Sequence, residues 1–195
     1  GQGLSYAVAN RGACHLSATT FALEVYMGFL NPYTTRAKAH FVKFFENLFA
    51  AVNSLHVCQF TAFAYVLEEP IVKYTPKWML HMNMQYLPGI AQKLILIPTL
   101  TGLYNSVTGL GLSQAEFLHA GERIHILERL MNTREGISRK DDTLPARFLR
   151  EGRTCDPEKR TVPLEAMLDD YYRLRGFDNQ GLPTPQTLSH LGLDG

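Results

Sequence analysis

The chain has 195 residues, 46% of them hydrophobic, and its 19 basic and 18 acidic side chains leave a formal net charge of +1. This length and apolar content suffice for one sizeable core, so a single domain is the first expectation. Its near neutrality excludes the basic footprint of a nucleic-acid-binding protein, and no apolar stretch is long enough to cross a bilayer. The start shows no secretory signal pattern, and Gly1-Gln2-Gly3 is interpreted as a tag remnant or as the cut end of a longer polypeptide.

The first half of the chain is predicted to be largely helical. Residues 17–29 are apolar and predict a helix after a polar loop. Thr34 or Thr35 is predicted to cap a strong helix over residues 34–55, because apolar side chains recur there at helical spacing. Glu46 is assigned to the polar face of this helix.

The following segments are apolar but less regular. Residues 59–69 predict a helix that Pro70 closes. Residues 73–86 hold one tryptophan and three methionines, a composition that usually fills gaps in a core. Residues 100–107 predict a helix that ends at Gly109.

The second half of the chain carries clearer helix boundaries. Ser113 and the glutamate three residues later form a capping box, and the helix that they start is predicted to stop near Gly136. Residues 151–161 are polar and predict a surface loop. Two further helices are predicted, over residues 164–174 and after Thr184. Since strand patterns are weak throughout, the expected fold is all-α, multihelical and single-domain.

The three cysteines, Cys14, Cys58 and Cys155, are far apart and none belongs to a Cys-x-x-Cys pair. An odd number without regular spacing argues against a disulfide framework. It also argues against a self-contained zinc or iron–sulfur site, since such sites need about four ligands. The expected compartment is therefore reducing, that is, the cytoplasm.

The first candidate site is the segment RGACHL at residues 11–16. An arginine beside a glycine turn can hold a phosphate or a pterin carbonyl through its forked donors. His15 can serve as an acid or base, or donate a hydrogen bond to a metal-bound oxygen. From spacing alone an ordinary loop is favoured, because one histidine without a visible partner is weak support for a site.

The second candidate site is the segment NSLHVCQ at residues 53–59, where the long helix gives way to the next apolar segment. Amide and hydroxyl groups at such a junction can bind a polar ligand. A thiolate is favoured there if the next helix points its N-terminus at it. From the residues alone, a buried structural cysteine is the favoured interpretation of Cys58. The paired carboxylates Asp141-Asp142 are interpreted as caps, ion pairs or solvated charge.

The run GERIHILERLMNTREG (121–136), continued by RKDDTLPARFL (139–149), resembles the C-terminal part of the tungsten-containing aldehyde ferredoxin oxidoreductase family. The segments SQAEFLHAGERI and MLDDYYRLRGFD extend the resemblance, which spans about residues 6–193. It implies that residues 1–195 are a multihelical C-terminal domain of this type. The domain would be one segment of a longer enzyme whose N-terminal sheet domain and most cluster cysteines lie outside this chain.

Enzymes of that family hold a tungsten or molybdenum ion between two pterins, as tungstopterin, next to a 4Fe-4S cluster. They oxidise an aldehyde to a carboxylic acid and pass two electrons through the cluster to ferredoxin. The resemblance therefore implies these cofactors and a small-molecule aldehyde substrate. The implied partners are the remainder of the enzyme chain and ferredoxin or another electron-transfer protein, with no nucleic acid or membrane. A homodimer is left open.

The resemblance also implies roles for residues of the first segment. RGACHL looks like the family's pterin-contacting Arg-Gly followed by a histidine near the metal. Arg11 and Gly12 would then bind the cofactor, and His15 would be a catalytic acid, base or hydrogen-bond donor at a substrate or metal-bound oxygen.

The second segment, NSLHVC, resembles the family's Asp-x-x-Gly-Leu-Cys motif. Cys58 would then be the last cluster ligand, and Val57 and Gln59 would approach the pterin. Asn53 stands where the motif has aspartate, so it keeps hydrogen bonding but loses the charge. His56 stands where the motif has glycine, which would strain a turn with positive φ. Both departures are expected to alter the pterin contact rather than the fold.

Two other functions stay open at this stage. A tungsten-dependent reductase subunit of the benzoyl-coenzyme A type belongs to the same superfamily and is compatible with Asn53 and His56. A detached, non-catalytic helical scaffold domain would fold alone and bind no metal. This chain alone is not expected to hold the cluster or the metal, because it supplies too few ligands.

Overall fold

The computed structural model describes residues 1–67, 70–95 and 97–194. Over these ranges the regular structure is helical, without a strand, apart from an antiparallel bridge between Phe177 and Pro183. The all-α, multihelical prediction is confirmed. None of the helices in the described ranges is long and apolar enough to cross a membrane.

The α-helices of the described ranges vary from five to 21 residues. In chain order they are α1 (Gln2–Val8), α2 (Lys38–Ser54), α3 (Gln59–Leu67), α4 (Pro70–Tyr74), α5 (Lys77–Tyr86), α6 (Pro88–Leu94), α7 (Pro98–Thr108), α8 (Gln114–Arg134), α9 (Ala146–Arg150), α10 (Leu164–Arg175) and α11 (Pro185–His190). A π-helical turn spans Ala22–Tyr26 and a 3-10 turn spans Arg139–Asp141.

Helix α2 lies at the centre of the fold. It packs against α8 and α10, and also against α1, α3 and α6. Its apolar side chains Phe41, Leu48 and Phe49 are buried, as the helical spacing of these residues predicted. Gly121 of α8 allows a close crossing, because a Cβ at this position would lie 1.9 Å from the Asn47 carbonyl oxygen of α2.

The predicted start of α2 is wrong. The helix begins at Lys38, after Ala37 in the left-handed region (φ 66°), and neither Thr34 nor Thr35 caps it. The cause is tertiary: the buried Lys38 ammonium lies 2.5 Å from the carboxylate of Glu24 and donates to the Asn31 carbonyl at 2.7 Å. This inward side chain fixes where the helix starts.

The helix predicted over residues 17–29 is present only in part. Residues 20–26 are helical, and Ala22–Tyr26 has π geometry. The Leu23 carbonyl accepts hydrogen bonds from the N–H groups of both Phe29 and Leu30, at 2.8 and 3.1 Å, which turns the chain instead of continuing a helix.

Boundaries predicted from local signals are confirmed. Ser113 and Glu116 form both bonds of the capping box at the start of α8. Gly109 and Gly176 take left-handed conformations after α7 and α10. The Thr184 hydroxyl accepts from the Thr187 N–H at the start of α11. Helix α3 is present to Leu67, whereas residues 68–69 of that prediction lie outside the described residues.

Asp141 and Asp142, the acidic pair that follows α8, form contacts that hold later residues against that helix. Asp141 accepts from the Ser138 N–H at 2.9 Å. Asp142 is buried and receives both guanidinium N–H groups of Arg129 at 2.8 and 2.7 Å. The Arg129 Nε–H donates to the Gly181 carbonyl at 3.0 Å. The interpretation of this pair as a cap and an ion pair is confirmed.

The Met-rich segment is only partly core. Met84 is buried together with Leu80, one helical turn earlier on α5. Trp78, Met79 and Met82 are exposed, however, so the assignment of the whole patch to the core is wrong. The reason is that α5 packs with one face only.

Candidate functional site

The segment at residues 11–16 forms an exposed loop after α1. The Gly12 N–H donates to the Ala9 carbonyl at 3.0 Å, and Gly12 has φ 80°, a conformation that glycine adopts without strain. Arg11 and His15 are exposed on this loop. Burial raises the pKa of the Cys14 thiol, but the Leu16 N–H and the Arg11 guanidinium outweigh it, so the pKa is lowered. The loop therefore exposes both a guanidinium and an imidazole.

The segment at residues 53–58 is the turn that joins α2 to α3. The Leu55 N–H donates to the Val52 carbonyl and the His56 N–H to the Asn53 carbonyl, at 3.0 and 3.2 Å. His56 has φ 56°, so the position that holds glycine in the family motif adopts the conformation that favours glycine. A side chain in this region costs about 1–2 kcal/mol.

Cys58 lies directly before α3. Both the N–H and the hydroxyl of Thr61 donate to the Cys58 carbonyl, at 3.0 and 2.7 Å, which defines the first turn of the helix. The thiol of Cys58 is free and the residue is exposed, so its interpretation as a buried structural cysteine is wrong. The partial positive charge of a helix N-terminus favours an anionic ligand atom at this position.

The two candidate segments adjoin in the fold. The buried side chain of Gln59 donates from Nε2 to the Leu16 carbonyl, which ties the turn to the loop. Arg11 and Asn53 line one cavity of about 50 Å³ that lies between the segments. The remaining lining residues are Asn10, Leu16, Ser17, Glu46, Phe49, Ala50, His125 and Glu128.

Helix α8 holds the base of the loop. The Asn132 Nδ2 amide donates to the Asn10 carbonyl at 2.6 Å, and the Asn10 Nδ2 amide donates to the His125 carbonyl at 2.9 Å. These bonds fix the residue that precedes Arg11. Sequence reasoning did not identify Asn10, because an asparagine at the end of a short helix carries no pattern of its own.

A buried ionic network lies on the far side of the cavity. Glu46 is 2% exposed, and its Oε2 accepts from the Tyr171 hydroxyl at 2.6 Å and from the Arg175 guanidinium at 2.7 Å. Its assignment to the polar face of α2 is therefore wrong, since that face is covered by α10. Burial raises the pKa of Glu46, although Arg175 opposes the rise. Burial, followed by Arg175, lowers the pKa of His125 well below its usual value.

The donor set fits one face of a shared cofactor site. Over the described residues, no group of three or more His, Cys, Asp or Glu side chains is close enough to hold a metal ion. The two candidate segments offer the exposed thiol of Cys58 and the exposed guanidinium of Arg11. The space beside Gly12 is open, with no atom within 4 Å of where a Cβ would stand. A cluster of four irons needs further thiolates, which must come from elsewhere.

The helical domain brings together the cysteine turn and the Arg-Gly loop, the two segments whose resemblance implied a domain of a redox enzyme. The chain belongs to the aldehyde ferredoxin oxidoreductase family, because residues 1–193 match the model for domains 2 and 3 of these oxidoreductases. Similar proteins include the tungsten-containing aldehyde ferredoxin oxidoreductases of Pyrococcus horikoshii, Pyrococcus furiosus and Thermococcus kodakarensis, which are 31%, 30% and 29% identical. The alignments cover at least 99% of this chain but 28% of each relative, so the chain spans about 28% of their length.

Proposed function

We propose that this chain is part of a tungstopterin, iron–sulfur oxidoreductase that oxidises aldehydes to carboxylic acids and passes the electrons to ferredoxin. The observation that carries the proposal is the meeting of the Arg-Gly loop and the cysteine turn at one cavity, joined by the Gln59–Leu16 hydrogen bond. Membership of the family and similarity to tungsten-containing aldehyde ferredoxin oxidoreductases support it. The remainder of the enzyme chain supplies the rest of the site, and the enzyme works in the cytoplasm.

In this proposal the loop binds the pterin. The exposed Arg11 guanidinium presents donors in a fork that matches pterin carbonyl or phosphate oxygens. Gly12, with its left-handed backbone and open surroundings, lets the ligand approach the main chain. Asn53 faces the same cavity as Arg11 and adds an amide. The cofactor, when bound, supplies the two-electron chemistry.

The turn holds the cluster and completes the pterin contact. Cys58 donates its thiolate to the 4Fe-4S cluster from the N-terminus of α3. Val57 is 39% exposed and offers its backbone and side chain to the pterin. Because the Gln59 side chain is already used by the Leu16 carbonyl, Gln59 acts through its backbone.

His15 is the proposed catalytic acid, base or hydrogen-bond donor. It is exposed on the same loop as Arg11, four residues along the chain. An imidazole there can hold or release a proton at the substrate oxygen.

The test compares Cys58→Ala with Cys155→Ala in the full-length enzyme, purified without oxygen. Both thiols are free and exposed, but Cys155 lies in the loop over residues 151–161 and does not line the cavity. Iron, tungsten and molybdenum are measured by elemental analysis, and aldehyde-dependent reduction of ferredoxin is followed spectroscopically. Cys58→Ala is expected to lose cluster iron and activity, whereas Cys155→Ala keeps both.

Each alternative function predicts a different result of this comparison. Unchanged iron in Cys58→Ala would refute the ligand assignment. A wild-type enzyme without any metal would favour the scaffold function. A metal-loaded enzyme that reduces an aromatic acyl-coenzyme A instead of oxidising an aldehyde would favour the reductase.

A further inference from the structure

Helix α5 exposes an apolar stripe on the side opposite its buried residues. Leu80 and Met84 face the core, whereas Trp78, Met82 and Tyr86, spaced four residues apart, share the other side of the helix. Trp78 is 69% exposed, and Met82 and Tyr86 are about half exposed. Because aromatic side chains and methionine are enriched at protein interfaces, this stripe has the composition of a contact surface.

Helix α6 extends the apolar stripe of α5. The two helices pack against each other, and α6 buries Ala91 while it exposes Ile90 and Leu94, four residues apart. Met79 of α5 and Leu94 of α6 line one groove, which joins the two exposed stripes. The continuous surface, called the α5–α6 face, consists of Trp78, Met79, Met82, Tyr86, Ile90 and Leu94. Apolar patches of this kind mark interaction sites when they are large and continuous.

The groove in this face is a cavity of about 160 Å³ between α4, α5 and α6. Its lining is apolar apart from Thr75 and Asn83, and it includes Val72 and Ile95. The Asn83 amide is already engaged, because its Nδ2 donates to the Met79 carbonyl at 3.1 Å. An apolar cavity of about 150 Å³ is large enough to hold benzene. The groove therefore suits one apolar side chain of a partner rather than a polar ligand.

The charges beside the α5–α6 face are positive. Lys77 of α5 and Lys93 of α6 are exposed. The Arg36 guanidinium lies over the Tyr86 ring, 4.9 Å from its centroid. From position 70 to position 115 the sequence contains no aspartate or glutamate. Helices α4 to α7 therefore supply no carboxylate of their own to balance these cations, and electrostatic complementarity favours an acidic partner.

The shape of the face and the length of the relatives indicate which partner this is. A groove the size of one side chain fits a folded polypeptide segment, whereas the surface of a bilayer offers no such anchor. The chain spans about 28% of the length of the relatives that it matches. Most of an enzyme of that length therefore lies outside residues 1–195 and is able to cover this face.

We propose that the α5–α6 face is an interface within the longer enzyme, covered by an acidic, amphipathic segment from outside residues 1–195. The segment places one leucine-sized or phenylalanine-sized side chain in the groove. Its other apolar side chains contact Trp78 and Met82, and its carboxylates pair with Lys77 and Lys93. The inference rests on the part of the proposed function in which the chain belongs to a longer enzyme, and on no step of the reaction.

Hydroxyl-radical labelling of the full-length enzyme, analysed by mass spectrometry, tests whether the face is covered. The reference is a proteolytic digest of the same enzyme, labelled in the same way. Trp78 and Met82 are expected to be labelled about 10-fold less in the native enzyme than in the digest, since the centre of an interface excludes water. Equal labelling of native enzyme and digest at both residues would overturn the proposal.

Cross-linking with a carbodiimide, which joins lysine amines to carboxylates in direct contact, identifies the segment. Lys77 or Lys93 is expected to be linked to an aspartate or glutamate outside residues 1–195. The linked product should keep the mass of a single chain on a denaturing gel. A product with twice that mass would assign the face to a second copy, and links confined to residues 1–195 would leave no outside segment. Either result contradicts the proposal.

Substitution of Met82 tests whether the contact stabilises the full-length enzyme. Met82→Glu places a carboxylate in the face, and Met82→Leu is the matched control because it keeps an apolar side chain of similar size. Met82→Glu is expected to shorten the half-life of the folded enzyme at elevated temperature about 10-fold, whereas Met82→Leu behaves like the wild type. An unchanged half-life in Met82→Glu would contradict the proposal. If Met82→Glu does not fold, labelling and cross-linking of the wild type decide.

Two further results separate the alternatives. Sedimentation of the wild-type enzyme with phosphatidylglycerol vesicles would assign the face to a lipid surface and overturn the proposal. None of these measurements uses aldehyde oxidation, so the inference and the proposed function fail independently. An active, metal-loaded enzyme with a fully labelled face overturns the inference alone, whereas a covered face in an enzyme without tungsten or activity overturns only the proposed function.

Discussion

At the scale of the residue, His56 shows that the turn keeps its backbone conformation when a histidine replaces the glycine of the family motif. Its φ of 56° keeps the turn that a glycine would make without strain. The turn is retained because the residues on either side are fixed: the Leu55 N–H donates to Val52, and the Gln59 side chain donates to Leu16. The departure from the family motif therefore alters the surface of the turn, where His56 is exposed, and not its backbone.

We expect His56→Gly to be more stable than His56→Ala. Both variants remove the imidazole, but only glycine removes the strain of the left-handed backbone. After the greater freedom of glycine in the unfolded chain is subtracted, the difference is about 0.5–1 kcal/mol. Urea unfolding of the two variants measures it. A His56→Ala variant that is more stable than His56→Gly would mean that this backbone conformation carries no strain.

Arg175 is a single residue whose contacts determine how two helices pack. It is 1% exposed on α10, and its guanidinium reaches Asn47 Oδ1 at 2.5 Å and Glu46 Oε2 at 2.7 Å on α2. A buried charge of this kind costs free energy unless it is paired, and removing one partner costs about 3–5 kcal/mol. The pairing thus fixes how α10 sits on α2, which in turn covers Glu46.

At the scale of the element, the crossing of α2 and α8 positions both walls of the cavity. Helix α2 supplies Glu46 and Asn53, and α8 supplies His125 and Glu128. The two helices approach closely at Gly121, where a Cβ would meet the Asn47 carbonyl oxygen at 1.9 Å. Because the obstacle is backbone, the helices would have to move apart to admit a side chain.

We expect Gly121→Ala to lower the free energy of unfolding by about 1–3 kcal/mol, since overpacking at the crossing outweighs the helix propensity gained. Gly102→Ala on α7 is the control, because nothing lies within 4 Å of the Cβ position there. That variant should be more stable by about 0.5–1 kcal/mol, from helix propensity alone. Chemical denaturation followed by circular dichroism measures both. A change of the same sign in the two variants would contradict the steric account of the crossing.

At the scale of the whole molecule, the sequence predicted what depends on neighbours along the chain. The capping box at Ser113 and the glycine stop at Gly176 are local, so their residue types suffice. The start of α2 and the burial of Glu46 depend on partners 14 and 129 residues away, Glu24 and Arg175. The spacing of residues within one helix does not indicate partners so far away along the chain.

For the candidate site, too, one part was predicted from the sequence and another part depends on how the helices pack. The two segments were identified by their resemblance to family motifs, while their contact through Gln59 and the cavity beneath them emerged from the packing of α2, α3 and α8. The exposure of Cys58 was equally beyond the sequence, since a free cysteine is more often buried.

The hydrophobic core indicates that the chain folds as one unit. One hydrophobic cluster extends from Leu4 on α1 through Phe49 on α2 to Leu168 on α10 and Leu191 after α11. Side chains from both ends of the chain therefore lie in the same apolar interior, and neither half can bury its face alone. The ion pair of Arg175 with Glu46 also joins α10 to α2, which couples the unfolding of these two helices.

We therefore expect residues 1–195, expressed alone, to unfold in a single cooperative transition. Far-ultraviolet circular dichroism reports all helices, whereas near-ultraviolet signals report the packed Tyr171 and Tyr172, and the two curves should coincide. Gly121→Ala should move both curves together, because the α2–α8 crossing belongs to the one core. An earlier far-ultraviolet transition with the tyrosine signal intact would show that the segment from α3 to α7 unfolds separately, and residues 1–195 would then comprise two units.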